Sequence, residues 1–152
     1  MQVRPARVSD AKAINALIGA YAEQDRMLFR SVADIYENLQ TFLVAQEGDE
    51  VAGCCALEVV WGDLAEVKSL AVDAAHQGKG VGRALVSAAL DKAGQLGVAK
   101  VFALTLEPVF FRKLGFAEVS RESLPMKVWS DCARCPKQQD CDEVAMVSDV
   151  GP

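Results

Sequence analysis

Residues Glu66 to Arg83 constrain the fold more than any other stretch of this chain. They read as a buried strand, a glycine-rich turn at Gly78, Gly80 and Gly82, and the start of an amphipathic helix. Glycines there let the backbone turn tightly and converge several N–H groups, to which the first turn of the helix adds its own unpaired donors. Such a turn is an anion site, and Lys79 and Arg83 add positive charge at its mouth. The helix itself is written in Val81, Leu85, Ala89 and Ala93, widened by Val86 and Leu90, with Gly97 where a C-terminal cap belongs. A bound phosphate or pyrophosphate is therefore expected.

Two familiar glycine loops do not fit. A Walker A loop requires Gly-Lys followed by Ser or Thr after its spacer, and here Lys79 is followed by Gly80. A Rossmann turn has a different glycine spacing, and this one occurs mid-chain.

Gln77-Gly78-Lys79-Gly80-Val81-Gly82 resembles the acyl-CoA motif of the GNAT acetyltransferases, Gln/Arg-x-x-Gly-x-Gly/Ala. Leu70-Ala71-Val72 is similar to the end of that family's fourth strand. Phe110 to Phe116 resembles its second motif, Tyr-x-x-x-Gly-Phe. The resemblance implies that the backbone of Leu70, Ala71 and Val72 meets the pantetheine arm of acetyl-CoA. It further implies that Gln77, Gly78, Lys79, Gly80, Val81, Gly82 and Arg83 meet the pyrophosphate.

The chain has 152 residues with 51% hydrophobic content, enough for one domain, 1–152, with a sizeable core. Its N-terminus lacks a secretory apolar core, and no apolar run reaches the roughly 20 residues of a membrane helix. A cytoplasmic protein without a membrane partner is expected. A net charge of −5 with 16 Lys plus Arg argues against a nucleic-acid surface, so an anionic cofactor must be held by local donors.

In chain order, Gln2 to Pro5 reads as a first strand. Ser9 or Asp10 is placed to cap a helix carrying Ile14, Leu17, Ile18 and Tyr21. Ser31 is placed to cap a second helix through Asn38, with Ile35 and Leu39 inward. The runs 41–46 and 51–60 form a hairpin, and Trp61-Gly62-Asp63 turns the chain into a strand at 64–72. A strand at 100–106 precedes a short helix begun by Pro108 and ended by Gly115. Residues 116–120 and 143–148 suit a closing antiparallel pair. The expected class is α+β, a mixed, mostly antiparallel twisted sheet flanked by helices. The GNAT resemblance implies the same three-layer architecture, splayed between strands 4 and 5.

Attack of an amine on a thioester requires a lone pair, so a base must remove the ammonium proton. Glu66 lies where many GNAT enzymes carry a catalytic Glu, which makes it the candidate base. Strand alternation would put Lys68 and Leu70 on its face. The usual Tyr acid is replaced by Phe111, which cannot donate a proton. Water can protonate the leaving thiolate instead, because a thiol has an unperturbed pKa of about 8.5. Phe110 and Phe111 either pack against the CoA arm or fill the core. His76, the one histidine, reads as a loop residue on the phosphate side.

A narrower resemblance concerns the amine. Arg26-Met27-Leu28-Phe29-Arg30-Ser31 looks like the Leu-x-Arg-[Arg/Ser] segment in the acetyltransferase part of bacterial N-acetylglutamate synthases. Cys54 to Leu57, Lys100 to Thr105, the Phe110-Phe111 pair and Leu124-Pro125 match that branch in order. The resemblance implies that Arg30 grips a substrate carboxylate, and a planar guanidinium suits that task. Lys68 would add a second positive charge. The competing role for Arg30 is an ion pair with Asp34 one helical turn on.

The resemblance gives an acetyltransferase acting on the α-amino group of an amino acid, L-glutamate first and L-glutamine beside it, in arginine biosynthesis. No accompanying amino-acid-kinase-like domain is expected, and a homodimer is common in the family. Another amine, or acyl-CoA binding without catalysis, are the alternatives. Cys132, Cys135 and Cys141 are spaced like part of a zinc or iron–sulfur site, with Asp131, Asp142 or His76 as a fourth ligand, or form a reduced loop; no metal is assigned. Cys54 and Cys55 read as buried small hydrophobes.

Overall fold

A computed structural model describes residues 1–124 and 143–150. Among these residues seven strands form one sheet in the order β1-β2-β3-β4-β5-β7-β6, with helices α1 (Ala11–Ala22), α2 (Val32–Glu37), α3 (Val81–Leu96) and α4 (Pro108–Lys113). The strands are β1 (Gln2–Pro5), β2 (Phe42–Glu47), β3 (Glu50–Trp61), β4 (Leu64–Val72), β5 (Lys100–Thr105), β6 (Ala117–Val119) and β7 (Val144–Asp149). Ladders β1–β2, β2–β3, β5–β7 and β6–β7 are antiparallel, and β4–β5 is parallel. This is the mixed, mostly antiparallel sheet flanked by helices that the sequence implies. The parallel ladder consists of Leu64↔Lys100, Ala65↔Val101 and Glu66↔Phe102, although β4 runs on to Val72 and β5 to Thr105.

The chain divides into two compact units. The first comprises Met1–Glu58 and Val67–Lys92. Its core gathers Ile14 and Ile18 of α1, Ile35 of α2, Phe42 and Val44 of β2, Cys54 and Ala56 of β3, and Ala71 of β4. Tyr21 and Leu17 of α1 pack against that cluster, as helical spacing requires. Ser31 caps α2 by accepting from the Asp34 N–H at 3.0 Å.

Asp10 plays a different part from the one its position before α1 suggests. It ends a 3-10 turn, Val8–Asp10, and its carboxylate accepts from the Arg7 N–H at 2.7 Å and from both Arg4 Nη atoms, at 2.8 and 3.1 Å. It therefore closes the turn ahead of α1 and offers α1 itself no side-chain cap. The Arg4 guanidinium holds the Asp10 carboxyl below the usual carboxylate range, against the opposing effect of burial.

The second unit comprises Val59–Glu66 and Ala93–Pro152. Leu64, Phe102, Leu124 and Ala145 form its core, with Val60, Leu104, Val119 and Val147 packed on it. β7 pairs with β6, as expected from the sequence, and also along its whole length with β5, so it lies between them in the sheet. Pro108 opens α4, and Gly115, at φ +95°, ends that turn before Phe116.

Among the described residues no helix is long and apolar enough to cross a membrane.

Candidate active site

The glycine turn follows directly from β4. Asp73 caps a 3-10 turn over Ala74–His76 by accepting from the Ala75 N–H. Residues 77–80 are exposed, and Gly78 and Gly80 take φ +78° and +83°. L side chains rarely adopt that conformation, and glycine does so without steric penalty. No heavy atom stands within 4 Å of where a Cβ would sit on either glycine, so the turn is open on that side. The first intrahelical bond of α3 runs from the Ala84 N–H to the Gly80 carbonyl at 3.0 Å. The N–H groups of Val81, Gly82 and Arg83 therefore precede the helical ladder and remain available as anion donors. Lys79 and Arg83 are exposed at the same end.

The turn is seated by a close approach of β3 to α3. A Cβ on Gly53 would lie 2.9 Å from Val81 Cγ1, 3.0 Å from the Ala71 carbonyl and 3.1 Å from Leu85 Cδ1. Only glycine lets the start of α3 pack down on β3 there.

Val72, at the end of β4, has an unexpected partner. Its N–H donates to Tyr21 Oη at 3.2 Å, and Tyr21 Oη lies 3.3 Å from its carbonyl. Gln77 Nε2 donates to the same carbonyl at 3.3 Å and to Tyr21 Oη at 3.4 Å. The Arg26 guanidinium covers the Tyr21 ring at 4.5 Å. Sequence spacing puts Tyr21 on the core face of α1, and nothing in the spacing signals that its hydroxyl reaches a strand edge.

The substrate candidates Arg30 and Lys68 belong to one charged cluster. Arg30 Nε donates to Asp34 Oδ2 at 2.6 Å and Nη2 to Oδ1 at 3.4 Å, so the competing ion pair with Asp34 is present. Nη2 also lies 3.6 Å from Glu58 Oε1, and the other Glu58 oxygen lies 3.2 Å from Lys68 Nζ. Arg30 is buried, with its guanidinium 4.9 Å from the centre of the Phe42 ring. Hydrogen bonding to Arg30 outweighs burial and holds the Asp34 carboxyl below its ordinary range, with smaller help from Asn38 and Lys68. Glu58 was not legible as a site residue, because its partners come from α2's approach and from β4, far apart in sequence.

Ser69 sits in β4 at φ +55°, and its Oγ lies 3.5 Å from Arg30 Nη1. A left-handed residue inside a strand breaks the period-two alternation. The expectation that Leu70 shares the face of Lys68 by alternation therefore does not hold. Instead the neighbours Lys68 and Ser69 both reach the Arg30–Glu58 cluster.

In the second unit, Glu66 is buried at the end of the parallel ladder, opposite Phe102. Phe111 is buried in edge-to-face contact with Phe110 and Phe116, each with ring centroids 5.1 Å apart. Those contacts pack Phe111 among its neighbours' rings. His76 faces Glu50 at 3.3 Å.

Cys54 and Cys55 are fully buried, and burial raises both thiols, Cys55 to about 12, so neither is a nucleophile near neutrality. Cys132, Cys135 and Cys141, with Asp131 and Asp142, lie outside the described residues.

The acetyltransferase (GNAT) domain family matches residues 38–118, more than half of the chain. The chain belongs to the GNAT acetyltransferases. It is 45% identical over 145 residues to an uncharacterized N-acetyltransferase of Chlorobaculum tepidum, covering 95% of this chain and 94% of that one. An amino-acid acetyltransferase of Mycobacterium tuberculosis is 39% identical over 135 residues, 87% of this chain and 77% of the relative. N-acetylglutamate synthase from Neisseria gonorrhoeae, in a crystal structure with coenzyme A and N-acetyl-glutamate, superposes with a TM-score of 0.90 at 27% identity. That match covers 99% of this chain and 35% of the synthase.

This GNAT enzyme is an N-acetyltransferase with acetyl-CoA as co-substrate. Its residues fit that molecule, since an open glycine turn, a helix N-terminus and two cationic side chains supply donors for a pyrophosphate.

Proposed function

We propose that this GNAT enzyme acetylates the α-amino group of an amino acid, with L-glutamate and L-glutamine the first substrates to test. The observation that carries the reading is the buried Arg30 guanidinium linked through Glu58 to Lys68, two cations held together beside strand β4. Relatives named amino-acid acetyltransferase support the same substrate class. A carboxylate approaching Arg30 on the Nη1 side would gain a charge-assisted hydrogen bond in a partly desolvated place.

On this reading the backbone of Leu70, Ala71 and Val72 holds the pantetheine arm, and the turn from Gln77 to Arg83 holds the pyrophosphate. Bound acetyl-CoA supplies an activated acetyl thioester. Glu66 takes the proton from the substrate ammonium, directly or through a water, and so exposes the lone pair that attacks. Water protonates the departing thiolate, since the side chain at Phe111 has no proton to give. We assign the enzyme to the cytoplasm, and acetylated glutamate would serve arginine biosynthesis. A basic amine is the second reading, favoured by the carboxylates of Asp34 and Glu58 in the same cluster.

The deciding experiment is release of free CoA thiol from acetyl-CoA with each common amino acid offered in turn. Release driven by glutamate or glutamine is the expected result, whereas no release with any amino acid, but release when polyamines or a lysine-bearing protein are offered instead, overturns the amino-acid reading. With the accepted amino acid, Arg30→Ala is expected to raise KM roughly ten- to a hundredfold, the equivalent of about 1.5–3 kcal/mol for a hydrogen bond to a charged group. An unchanged KM would remove Arg30 from the substrate site.

A further inference from the structure

We propose that Glu58 sets which amino acid this enzyme accepts, by holding with its own carboxylate the two cations that a second substrate carboxylate would need. The proposal rests on the amino-acid reading above and sharpens it to one side-chain chemistry.

Glu58 spans the pair with its two oxygens, Oε1 at 3.6 Å from Arg30 Nη2 and Oε2 at 3.2 Å from Lys68 Nζ. Asp34 already takes the Nε and Nη2 edge of Arg30. Each of these cations, Arg30 and Lys68, thus already faces a carboxylate of Asp34 or Glu58 before any substrate arrives. The cluster is also only partly hydrated, the side chains of Arg30, Lys68 and Glu58 being 9%, 21% and 25% exposed. In such surroundings an extra charge without a partner is costly.

Every amino-acid substrate brings its α-carboxylate, and its amine must lose a proton before it attacks. A side-chain carboxylate adds another negative charge, can only accept hydrogen bonds, and meets the like charge of Glu58. A side-chain amide adds no charge and carries both donor and acceptor. It can give an N–H to Glu58 while its oxygen accepts a hydrogen bond from Lys68. Glu58 therefore favours an amide-bearing amino acid, L-glutamine, over L-glutamate.

The test compares kcat/KM for L-glutamine and L-glutamate in wild type, Glu58→Gln and Glu58→Asp. Wild type prefers glutamine. Glu58→Gln lowers the glutamine-to-glutamate ratio by on the order of tenfold or more, because the repelling charge is gone. Glu58→Asp keeps the charge and keeps the preference for glutamine. A ratio unchanged in Glu58→Gln overturns the proposal.

A second readout needs no turnover. Glutarate, a dicarboxylate without an amine, is added to each protein during thermal melting. It is expected to raise the melting temperature of Glu58→Gln and not that of wild type. If neither amino acid is acetylated but glutarate protects only the variant, the amino-acid reading falls and the role of Glu58 stands. Equal protection of both proteins, or of neither, overturns the role of Glu58 whatever the turnover. Should Glu58→Gln fail to fold, Glu58→Thr removes the charge with a residue suited to a strand and serves in its place.

Discussion

At the scale of single residues, the chemistry turns on where carboxylates are spent. Asp34 and Glu58 face the cations of one cluster, and Glu66 is buried at the last pair of the parallel β4–β5 ladder. If Glu66 is the base, Glu66→Gln keeps the shape of the side chain and loses only proton acceptance. Turnover near neutral pH should then fall by about a hundredfold or more, the usual contribution of a positioned base. CoA affinity, measured by calorimetry, should stay nearly unchanged. Wild-type turnover in the variant would end the assignment. Sequence spacing made the pairing of Arg30 with Asp34 visible, because a pair four residues apart is a local relation, whereas the substrate role of Arg30 came from the family resemblance. Glu58 and Ser69 stayed hidden for a physical reason. One finds its partners only when distant segments fold together, and the other holds a φ of +55° that no serine in a strand pattern announces.

At the scale of elements, the strand–turn–helix from β4 to α3 was legible because each part speaks locally, through apolar runs, glycines and helical spacing. What fixes its seating was not. Gly53 in β3 reads as an ordinary strand residue, yet its missing Cβ is what admits Val81 and Leu85 of α3. Gly53→Ala should destabilise the protein by about 1–3 kcal/mol through overpacking. Because Val81 is the first residue of α3, the same variant should weaken CoA binding, and denaturant melts beside a CoA titration check both effects. Tyr21 carries a second prediction. Its hydroxyl holds the Val72 N–H, the group proposed to meet the pantetheine arm, so it has to give way when that arm arrives. Tyr21→Phe removes that partner and should lower stability without ligand by about 1 kcal/mol. For a chain of this size that is a drop of about 2–4 °C in melting temperature. Added CoA should then raise the melting temperature of the variant more than that of wild type. A smaller rise would mean that the hydroxyl belongs to the CoA contact itself.

At the scale of the whole molecule, the acidic balance of the chain says little about an anionic co-substrate and more about its response to acid. The net charge is −5, so on the proposed reading binding of acetyl-CoA would depend on the donors of the glycine turn and not on the overall field. Two carboxyls in the first unit, Asp10 and Asp34, titrate below their ordinary range, each because an arginine donates to it. In the unfolded chain both return to the ordinary range, so across the acid region below about pH 4 the unfolded state binds more protons than the folded one. Stability therefore rises with pH there, is fully present above the unfolded value, and is lost as pH falls through the folded values. Asp10→Asn keeps the size of the side chain but not its charge, leaving Arg4 with a weaker acceptor. The variant should be less stable than wild type at neutral pH, and the gap should close as the solution is acidified and the wild-type carboxyl takes up its proton. Denaturant melts from pH 7 down to the acid limit of folding test this directly. A gap that stayed constant with pH would mean that Asp10 acts by packing and hydrogen bonding alone, and that the Arg4 pair contributes no charge-dependent stability.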